Sequence, residues 1–549
     1  MTDRAFGPDS RVNLSGHFKG QDAPTGGPSD FYTALPIGGR LVHFFHQWEL
    51  TSTDTWVLQT IQFGLSLEFL ASPPDRFITC SISRDPLQQG LMQEAIKHLL
   101  EIQAIEPVPP DHKGGGFYSI LFVVPKASGV WRAILDLKGL NYYITYKKFK
   151  MQSLRSILGG IRQGDFLASI DLTEAYLHIP IHPAHRRFFR FCYRGRHFQY
   201  KALPFGLSSA PRVFKILDVL ATQLRKVPIR IQCYRDDILI QASSFQAAQA
   251  DLKLIIQVLQ QHGFSVSFQK SQMVPSSRLL HLGAVIDTTN CMVYLSQERL
   301  VSIRDQVYRD RTIPLVLLSQ LLGKMVSCIA IGPWTRLHLR DLQWFLLPFQ
   351  QVNASASNRQ VRVPVHILRS LRWWFSQAVT KGSSFKELDR ITITTDTSLF
   401  GWGAHLQSQF VQGCWSRADL RHNINWLELR AIHLALHQFR HWIRGFHVLI
   451  LTDNVASKAH VDCQGGTRSR SLMSEARLLG SWAESNLASL RAEHISGVEN
   501  HQADFSSRST VDPSEWGLHP DLFSEISHRF GHPILNLFAS STNAQLPRY

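Results

Sequence analysis

Cysteine is scarce and unpatterned in this sequence. Only seven cysteines occur among 549 residues, and no two of them stand at the short spacing of a zinc knuckle. An odd, scattered set excludes a disulfide framework, so it predicts reduced thiols without structural zinc. We therefore expect an intracellular protein, located in the cytoplasm, the nucleus or both.

Long apolar runs are also lacking. The opening MTDRAFGPDS contains no apolar signal region. The most apolar stretch, residues 313–334, contains Ser319, Gln320 and Lys324, so it favours a buried helix pair over a membrane span. We expect no membrane association and, from the length, two to four domains.

Acidic residues are few relative to basic ones. The chain has 58 Lys and Arg against 42 Asp and Glu, a formal net charge of +16. Such a surplus favours a polyanionic partner, nucleic acid before membrane, although a merely basic protein has the same composition. Apolar residues make up 44% of the chain, enough for substantial cores.

Hydrophobic periodicity predicts two mixed α/β units. Residues 85–105 have helical spacing, and short strand-like runs separated by turns follow as far as about residue 290. Residues 291–385 are expected to be mostly helical. From Ile391 strands and helices alternate again, with a predicted glycine-rich turn at Gly401 and Gly403. No role follows from the pattern of residues 41–70.

Three aspartates stand out in the first unit. Asp171 closes one apolar run, and Asp236 and Asp237 occupy a predicted turn between the apolar runs IRIQCY and ILIQA. A single turn aspartate is explained by turn chemistry. Two adjacent acids repel each other unless a cation neutralises them. Because magnesium binds through carboxylates and substrate phosphates, the cluster predicts a metal site for phosphoryl chemistry.

The first unit resembles a reverse transcriptase. The ordered blocks are FVVPKASGVWRAILDLKGLN, SIDLTEAYLHIPI, LPFGLSSAP, YRDD, FQKS and LGAVID, within residues 120–287. The resemblance implies a right-hand polymerase with fingers, palm and helical thumb/connector, using Mg2+ or Mn2+, two ions per active site. The implied metal ligands are Asp171, Asp236 and Asp237. The residues implied to bind the dNTP substrates are Lys126, Arg132, Tyr176, Phe205, Gly206 and Lys270.

Several of these residues have simpler interpretations. Lys126 and Arg132 are implied to hold the triphosphate, but charges at strand edges are commonly only solvated. Tyr176 is implied to exclude a ribose 2′-hydroxyl, but it is also compatible with an ordinary core position. Leu282 and Gly283 resemble the turn that grips the primer end.

A second set of acids follows apolar elements. Asp396 ends the strand-like ITITTD, and Asp453 follows HVLILT. Glu428 shares a helical face with apolar residues and has no basic residue on that stripe, an arrangement that is costly without a partner. Asp504 lies in ENHQADFSSR. The alternative is four unrelated surface acids.

In this order the four acids resemble those of ribonuclease H, which cleaves the RNA strand of an RNA–DNA hybrid. The resemblance implies a mixed sheet flanked by helices and two metal ions held by Asp396, Glu428, Asp453 and Asp504. His494 matches the family's loop histidine that relays protons, although a lone histidine is by default a surface residue. Asn454 and Asn500 also fit the pattern. Arg468 and Arg470 are candidates for hybrid phosphates, and a solvated helix start explains them equally well.

Longer phrases resemble the polymerase proteins of DIRS-type retrotransposons, which insert by a tyrosine recombinase. These are FYTALPIGGRLVHFFHQWE, INWLELRAI, QGGTRSRSL and the terminal EWGLHP…NLFASSTNAQLPRY. The implied partners are an RNA template, a DNA primer and their hybrid, with the recombinase on a separate chain. The predicted segments are an N-terminal arm and extension at 1–84, fingers and palm at 85–290, a thumb/connector at 291–387, ribonuclease H at 388–510 and a tail at 511–549.

Two features depart from the resembled family. Arg235 stands between Tyr234 and Asp236, where a small or apolar residue is usual. It could pair with a carboxylate and lower metal occupancy, or contact the primer phosphate. The chain also ends at Tyr549, before the methyltransferase-like region that often follows. Both departures favour the alternative of a decayed or domesticated nucleic-acid-binding protein, possibly with only ribonuclease H activity left, whereas the seven retained acids favour the enzyme.

Overall fold

The computed structural model of this chain describes residues 35–125, 131–307, 312–350, 359–508, 518, 520–534 and 546. It divides into two compact units, Met1–Met292 and Val293–Tyr549. Among the described residues, no helix is long and apolar enough to cross a membrane. All seven cysteines are free thiols.

The first unit mixes helices and strands. Its helices are α1 (Phe45–Thr51), α2 (Thr55–Phe63), α3 (Pro86–Glu101), α4 (Lys138–Asn141), α5 (Leu154–Leu158), α6 (Ala210–Val213), α7 (Ile216–Lys226) and α8 (Phe245–Gln261). Its strands are β1 (Ile105–Pro107), β2 (Leu121–Pro125), β3 (Trp131–Leu135), β4 (Phe166–Asp171), β5 (Arg190–Tyr193), β6 (Arg196–Tyr200), β7 (Arg230–Tyr234), β8 (Asp237–Ala242), β9 (Gln272–Ser276), β10 (Arg278–His281) and β11 (Ala284–Asp287). Short 3₁₀ helices cover Arg40–Phe44, Pro110–His112, Ala175–His178 and Pro183–Phe188.

A four-stranded sheet in the order β7-β8-β4-β9 forms the centre of this unit. Its middle strands are apolar on both faces, because Leu167, Ile170, Ile238 and Ile240 are all buried. α7 packs on β7, and α8 packs on β8 and β9. The sheet therefore presents the carboxyl end of β4 beside the β7–β8 hairpin turn, where the first set of aspartates lies.

Residues 41–70, for which the sequence pattern gave no role, contribute to the core of the first unit. Leu41, Trp48 and Ile61 are fully buried in the same hydrophobic cluster as the central sheet. Leu65 bridges Ile181 in parallel, which ties the end of this segment to the chain beyond β4. This stretch is therefore an integral part of the first unit.

The second unit contains a helical first part and a sheet-containing second part. Its helices are α9 (Gln297–Arg304), α10 (Leu315–Val326), α11 (Thr335–Gln350), α12 (Val365–Leu371), α13 (Ile424–Gln438), α14 (Arg440–Ile443), α15 (Val455–Asp462), α16 (Arg470–Asn486), α17 (His501–Arg508) and α18 (Pro520–Phe530). Its strands are β12 (Met292–Leu295), β13 (Thr312–Pro314), β14 (Gln360–Arg362), β15 (Ser383–Ser384), β16 (Ile391–Thr397), β17 (Gly401–Leu406), β18 (Gln409–Cys414), β19 (His447–Thr452) and β20 (Ser489–His494). Further 3₁₀ helices cover Arg372–Phe375, Gln377–Thr380 and Asp419–Arg421.

A five-stranded sheet in the order β18-β17-β16-β19-β20 organises the second part. β16, β17 and β18 pair antiparallel, whereas β19 and β20 run parallel to β16. Parallel neighbours require a crossover, and α13 and then α15 with α16 supply the two crossovers. The carboxyl ends of β16, β19 and β20 therefore meet at one edge of the sheet, where the second set of acids lies.

The predicted fold class, a multidomain α/β protein with a helical connector and a second mixed sheet flanked by helices, is confirmed. Residues 291–385 are mostly helical, as predicted, with the short strands β12–β15 between the helices. Two details of the prediction were wrong. Residues 313–334 contain one helix, α10, which ends at Val326, rather than a helix pair. Gly401 and Gly403 lie inside β17, not in a turn.

The two glycines of β17 are explained by close packing rather than by a turn. A Cβ on Gly403 would lie 2.6 Å from the Ser506 side chain and 2.7 Å from the Ala503 carbonyl oxygen, both on α17. A Cβ on Gly401 would lie 2.5 Å from the Gly413 carbonyl oxygen on the next strand. Glycine therefore allows α17, which contains Asp504, to lie directly on the sheet.

Candidate active sites

The three aspartates of the first unit lie at the end of the central sheet. Asp171 is the last residue of β4 and pairs with Asp237, the first residue of β8. The β7–β8 hairpin has a two-residue turn, Arg235–Asp236, so Asp237 is a strand residue rather than the turn residue predicted. Burial, Asp236 and Asp171 together raise the pKa of Asp237 to about 6. The arrangement concentrates negative charge that a bound cation would relieve.

The Arg235 guanidinium lies beside the Tyr234 ring. Arg235 has its backbone in the left-handed region, with φ of 57°, and its guanidinium lies 5.7 Å from the centre of that ring. It joins no ion pair within the part of the chain that the structure describes. Its charge nevertheless lowers the pKa of Asp237, opposing the effect of burial. The sequence left two alternatives for Arg235, pairing with a carboxylate or contact with the primer phosphate. The structure does not show the first of these.

An aromatic group lies next to the aspartates. Tyr176 is buried and meets Phe205 and Phe214 edge-on, each at 5.1 Å between ring centres. The Arg132 guanidinium lies 4.5 Å from the centre of the Phe205 ring. Burial raises the pKa of Tyr176, so its hydroxyl remains protonated. A cavity of about 320 Å³ opens beside Arg132 and Phe205.

The loop that contains Phe205 and Gly206 is fixed by Asn141. The Asn141 amide nitrogen donates to the Gly206 carbonyl oxygen at 3.0 Å, and its amide oxygen accepts from the Ser208 backbone N–H at 2.9 Å. Gly206 has φ of 112°, and a Cβ there would lie 2.4 Å from the Leu135 carbonyl oxygen. Only glycine fits this position, so the loop is held close to β3.

The remaining predicted residues of the first unit are placed as follows. Lys126 lies outside the described residues. Lys270 is exposed, and its backbone N–H donates to the Ser267 carbonyl oxygen at 3.1 Å. Leu282 and Gly283, with φ of 51° and 70°, form the two-residue turn between β10 and β11.

Sequence reasoning missed the support of Asp171. The Asp171 backbone N–H donates to the Ser271 hydroxyl at 3.0 Å, and its carbonyl oxygen accepts from the Ser267 backbone N–H at 2.8 Å. The Ser271 hydroxyl in turn donates to the Ser267 carbonyl oxygen at 2.7 Å. Ser271 ends the block FQKS, but that block does not show that serines about a hundred residues away along the chain support Asp171.

The second unit brings Asp396, Glu428 and Asp453 together. A carboxylate oxygen from each lies within 4.8 Å of the others, a spacing that could hold a metal ion. Asp396 comes from β16, Glu428 from the buried face of α13, and Asp453 follows β19. Three positions that are far apart in the sequence thus converge at one edge of the sheet.

Glu428 provides the test of whether a cation fits. Its side chain is only 5% exposed, and its Oε2 has no hydrogen-bond partner. Burial, Asp396 and Asp453 raise its pKa to about 9. A buried carboxylate oxygen with no donor, facing two further carboxylates, is suited to a divalent cation with oxygen ligands.

Asp396 is oriented by two side chains from α17 and the loop before it. Asn500 donates to its Oδ1 at 3.0 Å, and the Ser507 hydroxyl donates to its Oδ2 at 2.8 Å. Burial raises the pKa of Asp396 to about 6 despite the hydrogen bond from Ser507. Asn500 had been noted in the sequence. Ser507 was missed, although it lies three residues after Asp504 on the same helix.

Asp504 is not part of the close cluster. It lies in the first turn of α17 and accepts hydrogen bonds from the Arg508 guanidinium, with Nε to Oδ1 at 2.7 Å. Its charge still contributes to the raised pKa of Asp396, so it lies near the site. The spacing of four residues on a helix explains the pairing with Arg508.

His494 and Asn454 flank the cluster. His494 is the exposed last residue of β20 and stands in register with Thr452, the residue before Asp453. The Asn454 side chain caps α15 and donates to the Asn425 side chain at 2.9 Å. Arg468 and Arg470 are exposed around Ser469, the cap of α16.

Comparison with known proteins finds similarity in the region of the first site. A family model described as "Reverse transcriptase (RNA-dependent DNA polymerase)" matches residues 124–286, which include Asp171, Asp236 and Asp237. The enzymatic polyprotein of Cauliflower mosaic virus (strain Strasbourg) is 22% identical over 490 residues, covering 83% of this chain and 65% of that polyprotein. The Pro-Pol polyprotein of Simian foamy virus type 1 is 30% identical over 155 residues, covering 28% of this chain and 13% of that protein.

Among solved structures, a foamy viral protease-reverse transcriptase in complex with RNA/DNA hybrid matches 90% of this chain and 66% of that one, with 16% identity and a TM-score of 0.48. The chain spans just under two thirds of the length of the curated relatives from Cauliflower mosaic virus, 65% for the polyprotein of strain Strasbourg. Residues 124–286 form a reverse transcriptase domain, and its relatives are viral polyproteins.

Proposed function

We propose that this chain is an RNA-directed DNA polymerase with ribonuclease H activity, the replication enzyme of a DIRS-type retrotransposon. The reverse transcriptase domain supports the polymerase. The observation that supports the second activity is the convergence of Asp396, Glu428 and Asp453 around an unpartnered buried oxygen. The partners would be an RNA template, a DNA primer and their hybrid.

In the polymerase site, Asp171, Asp236 and Asp237 would hold two Mg2+ or Mn2+ ions. When bound, such ions activate the primer hydroxyl and neutralise charge on the triphosphate. Arg132, held over Phe205, and Lys126 would bind the triphosphate. Tyr176 would pack against the deoxyribose, because its ring is fixed between two phenylalanines. Catalysis then consists mainly of positioning and charge stabilisation.

In the ribonuclease site, Asp396, Glu428 and Asp453 would hold two ions, with Asp504 joining on release from Arg508. When bound, the ions lower the pKa of a water molecule and orient it toward the scissile phosphate. Asn500 and Ser507 fix the Asp396 carboxylate by hydrogen bonds to its two oxygens. His494, exposed at the rim, would move a proton at its imidazole.

The biological setting follows from the longer resemblance. A DIRS-type element would supply its tyrosine recombinase on a separate chain. An intracellular location, in the cytoplasm or nucleus, would follow from that life cycle. The division into five segments, with boundaries at residues 84, 290, 387 and 510, remains a proposal. The structure itself divides into two compact units between Met292 and Val293.

The proposal is tested with the purified chain, a DNA primer on an RNA template, and a labelled RNA–DNA hybrid. We expect primer extension and RNA cleavage with Mg2+ or Mn2+, and neither with EDTA. Asp171→Asn should abolish extension, whereas Asp111→Asn, at an exposed position of a short 3₁₀ helix, should not. Absence of both activities in the wild type would contradict the enzyme proposal and favour a nucleic-acid-binding protein without turnover.

A further inference from the structure

Arg40 is an unusual residue of the first unit because its guanidinium is almost fully enclosed. It is 4% exposed, and its Nη1 donates to the Ser265 hydroxyl at 2.5 Å across 225 residues of sequence. The guanidinium also lies 5.6 Å from the centre of the Phe44 ring. Burying an arginine costs free energy unless it is well bonded, so this contact requires a structural reason.

The segment that Arg40 contacts is paired with the strand that ends in Asp171. The Ser267 backbone N–H donates to the Asp171 carbonyl oxygen at 2.8 Å, and the Thr173 backbone N–H donates to the Ser265 carbonyl oxygen at 2.9 Å. Leu172 and Val266 form the antiparallel bridge between these bonds. A shift of residues 265–267 would therefore move the backbone that orients the Asp171 carboxylate.

The N-terminal segment around residues 40–48 contacts the residues before Ser265 at two further points. The Trp48 indole N–H donates to the His262 carbonyl oxygen at 3.0 Å. Phe44 lies so close to Gly263 that a Cβ there would be 2.6 Å from the Phe44 ring. The N-terminal segment therefore contacts His262 and Gly263, which lie just before residues 265–267.

His178 makes a further contact with the same segment. Its Nε2 accepts from the Ser265 backbone N–H at 3.0 Å, and its Nδ1 lies 3.0 Å from the Ala175 carbonyl oxygen. Accepting at Nε2 requires a neutral ring, and burial lowers the pKa of His178 to about 3. The positive charge at this junction therefore belongs to Arg40.

We infer that Arg40 is a positioning residue of the polymerase site, which holds residues 265–267 against the Asp171 strand and so sets the place of the first carboxylate. The inference rests on the proposed polymerase function. It also gives the segment around residues 40–48 a role, which is to hold residues 262–265 in place next to the polymerase site. Small displacements of catalytic groups lower the reaction rate strongly. We therefore expect loss of Arg40 to lower kcat rather than to raise KM.

The test compares Arg40→Met, Arg40→Lys and Ser265→Ala with Arg84→Met, an exposed arginine of the same unit. For Arg40→Met we expect kcat for nucleotide addition to fall at least about tenfold, as for loss of a charge-assisted hydrogen bond, with KM for dNTP changed less than about threefold. Arg40→Lys should recover part of kcat, because its ammonium can still donate. Hybrid cleavage by the same preparations should be unchanged.

Hydrogen exchange gives a readout that does not depend on activity. The backbone amides of Thr173 and Ser267 should exchange faster in Arg40→Met and Ser265→Ala than in the wild type, and at the wild-type rate in Arg84→Met. If Arg40→Met fails to fold, Ser265→Ala provides the same comparison.

Two results would overturn the inference. One is a variant with wild-type kcat and unchanged exchange at both amides. The other is a parallel loss of extension and cleavage in proportion to unfolded protein, which indicates a merely structural role. If the wild type does not extend primers, the proposed function fails, and the exchange of Thr173 and Ser267 alone decides whether Arg40 holds the pairing.

Discussion

Glu428 illustrates at the residue scale how burial on an apolar helix face raises the pKa of a carboxyl group. Its folded-state pKa of about 9 lies above the ordinary 4.5, so the metal-free folded protein binds this proton more tightly than the unfolded chain does. The resulting stabilisation is complete at low pH and is lost as pH rises from about 4.5 to about 9. The second unit should therefore be least stable without metal in alkaline solution.

Glu428→Gln keeps this position neutral at every pH. In EDTA at pH 8, we expect it to raise the free energy of unfolding of the second unit by roughly 2–4 kcal/mol, whereas at pH 5 the change should be small. Adding magnesium should stabilise the wild type and not the variant. Urea denaturation at both pH values is the measurement, with the exposed Glu387→Gln as control. Equal stability of wild type and Glu428→Gln at pH 8 would contradict the raised pKa.

Arg235 is the second residue whose effect can be predicted. Because its charge lowers the pKa of Asp237, Arg235→Leu should raise that pKa further and move the acidic limb of the extension rate to higher pH. At limiting magnesium and pH 6, we expect extension to fall about two- to fivefold. Arg235→Lys should leave the limb in place. Faster synthesis by Arg235→Leu would instead indicate that Arg235 is a damaging replacement.

At the scale of elements, the loop after β6 depends on one glycine. Gly206 combines a left-handed φ with a Cβ position 2.4 Å from the Leu135 carbonyl oxygen, whereas Gly164, with φ of 77°, has open space around it. We expect Gly164→Ala to cost about 1 kcal/mol of stability through backbone strain alone. Gly206→Ala should cost more and raise KM for dNTP about tenfold, because residues 205–208 must shift away from Arg132.

Steady-state extension kinetics and urea unfolding of the two alanine variants check this expectation. Similar stability and KM for both would show that the Gly206 loop has room for a side chain.

The sequence predicted the position of a site residue correctly where a single apolar pattern determines the element that contains it. The apolar strands that precede Asp171, Asp396 and Asp453 marked their carboxyl ends, and the buried stripe of α13 marked Glu428. The glycines of β17 were misjudged, because a strand glycine needed for an approaching helix has the same local pattern as a turn glycine. Asp504 pairs with Arg508 at a spacing of four, which the sequence could have shown.

Contacts between distant segments could not be predicted. Ser271 supports Asp171 from about a hundred residues away, and Arg40 reaches Ser265 across 225 residues. Ser271 lies in FQKS and Arg40 in FYTALPIGGRLVHFFHQWE, but neither phrase shows which distant residue the side chain contacts. Both contacts depend on how distant segments pack within the first unit.

At the scale of the whole molecule, a net charge of +16 fits a nucleic-acid partner under every functional reading. Salt-sensitive binding therefore does not distinguish an enzyme from a binding protein. The distinguishing feature is that the two carboxylate clusters lie in different compact units. If both are catalytic, each activity should be removable without the other.

The most direct test of this account assays Asp236→Asn and Asp453→Asn side by side on one primed RNA template with magnesium. Asp236→Asn should reduce extension at least about a thousandfold and leave RNA cleavage within about twofold of wild type, and Asp453→Asn should do the reverse. Asp389→Asn, an exposed position, serves as control. Loss of both activities in either variant, or cleavage that survives Asp453→Asn, would contradict the assignment of two independent metal sites.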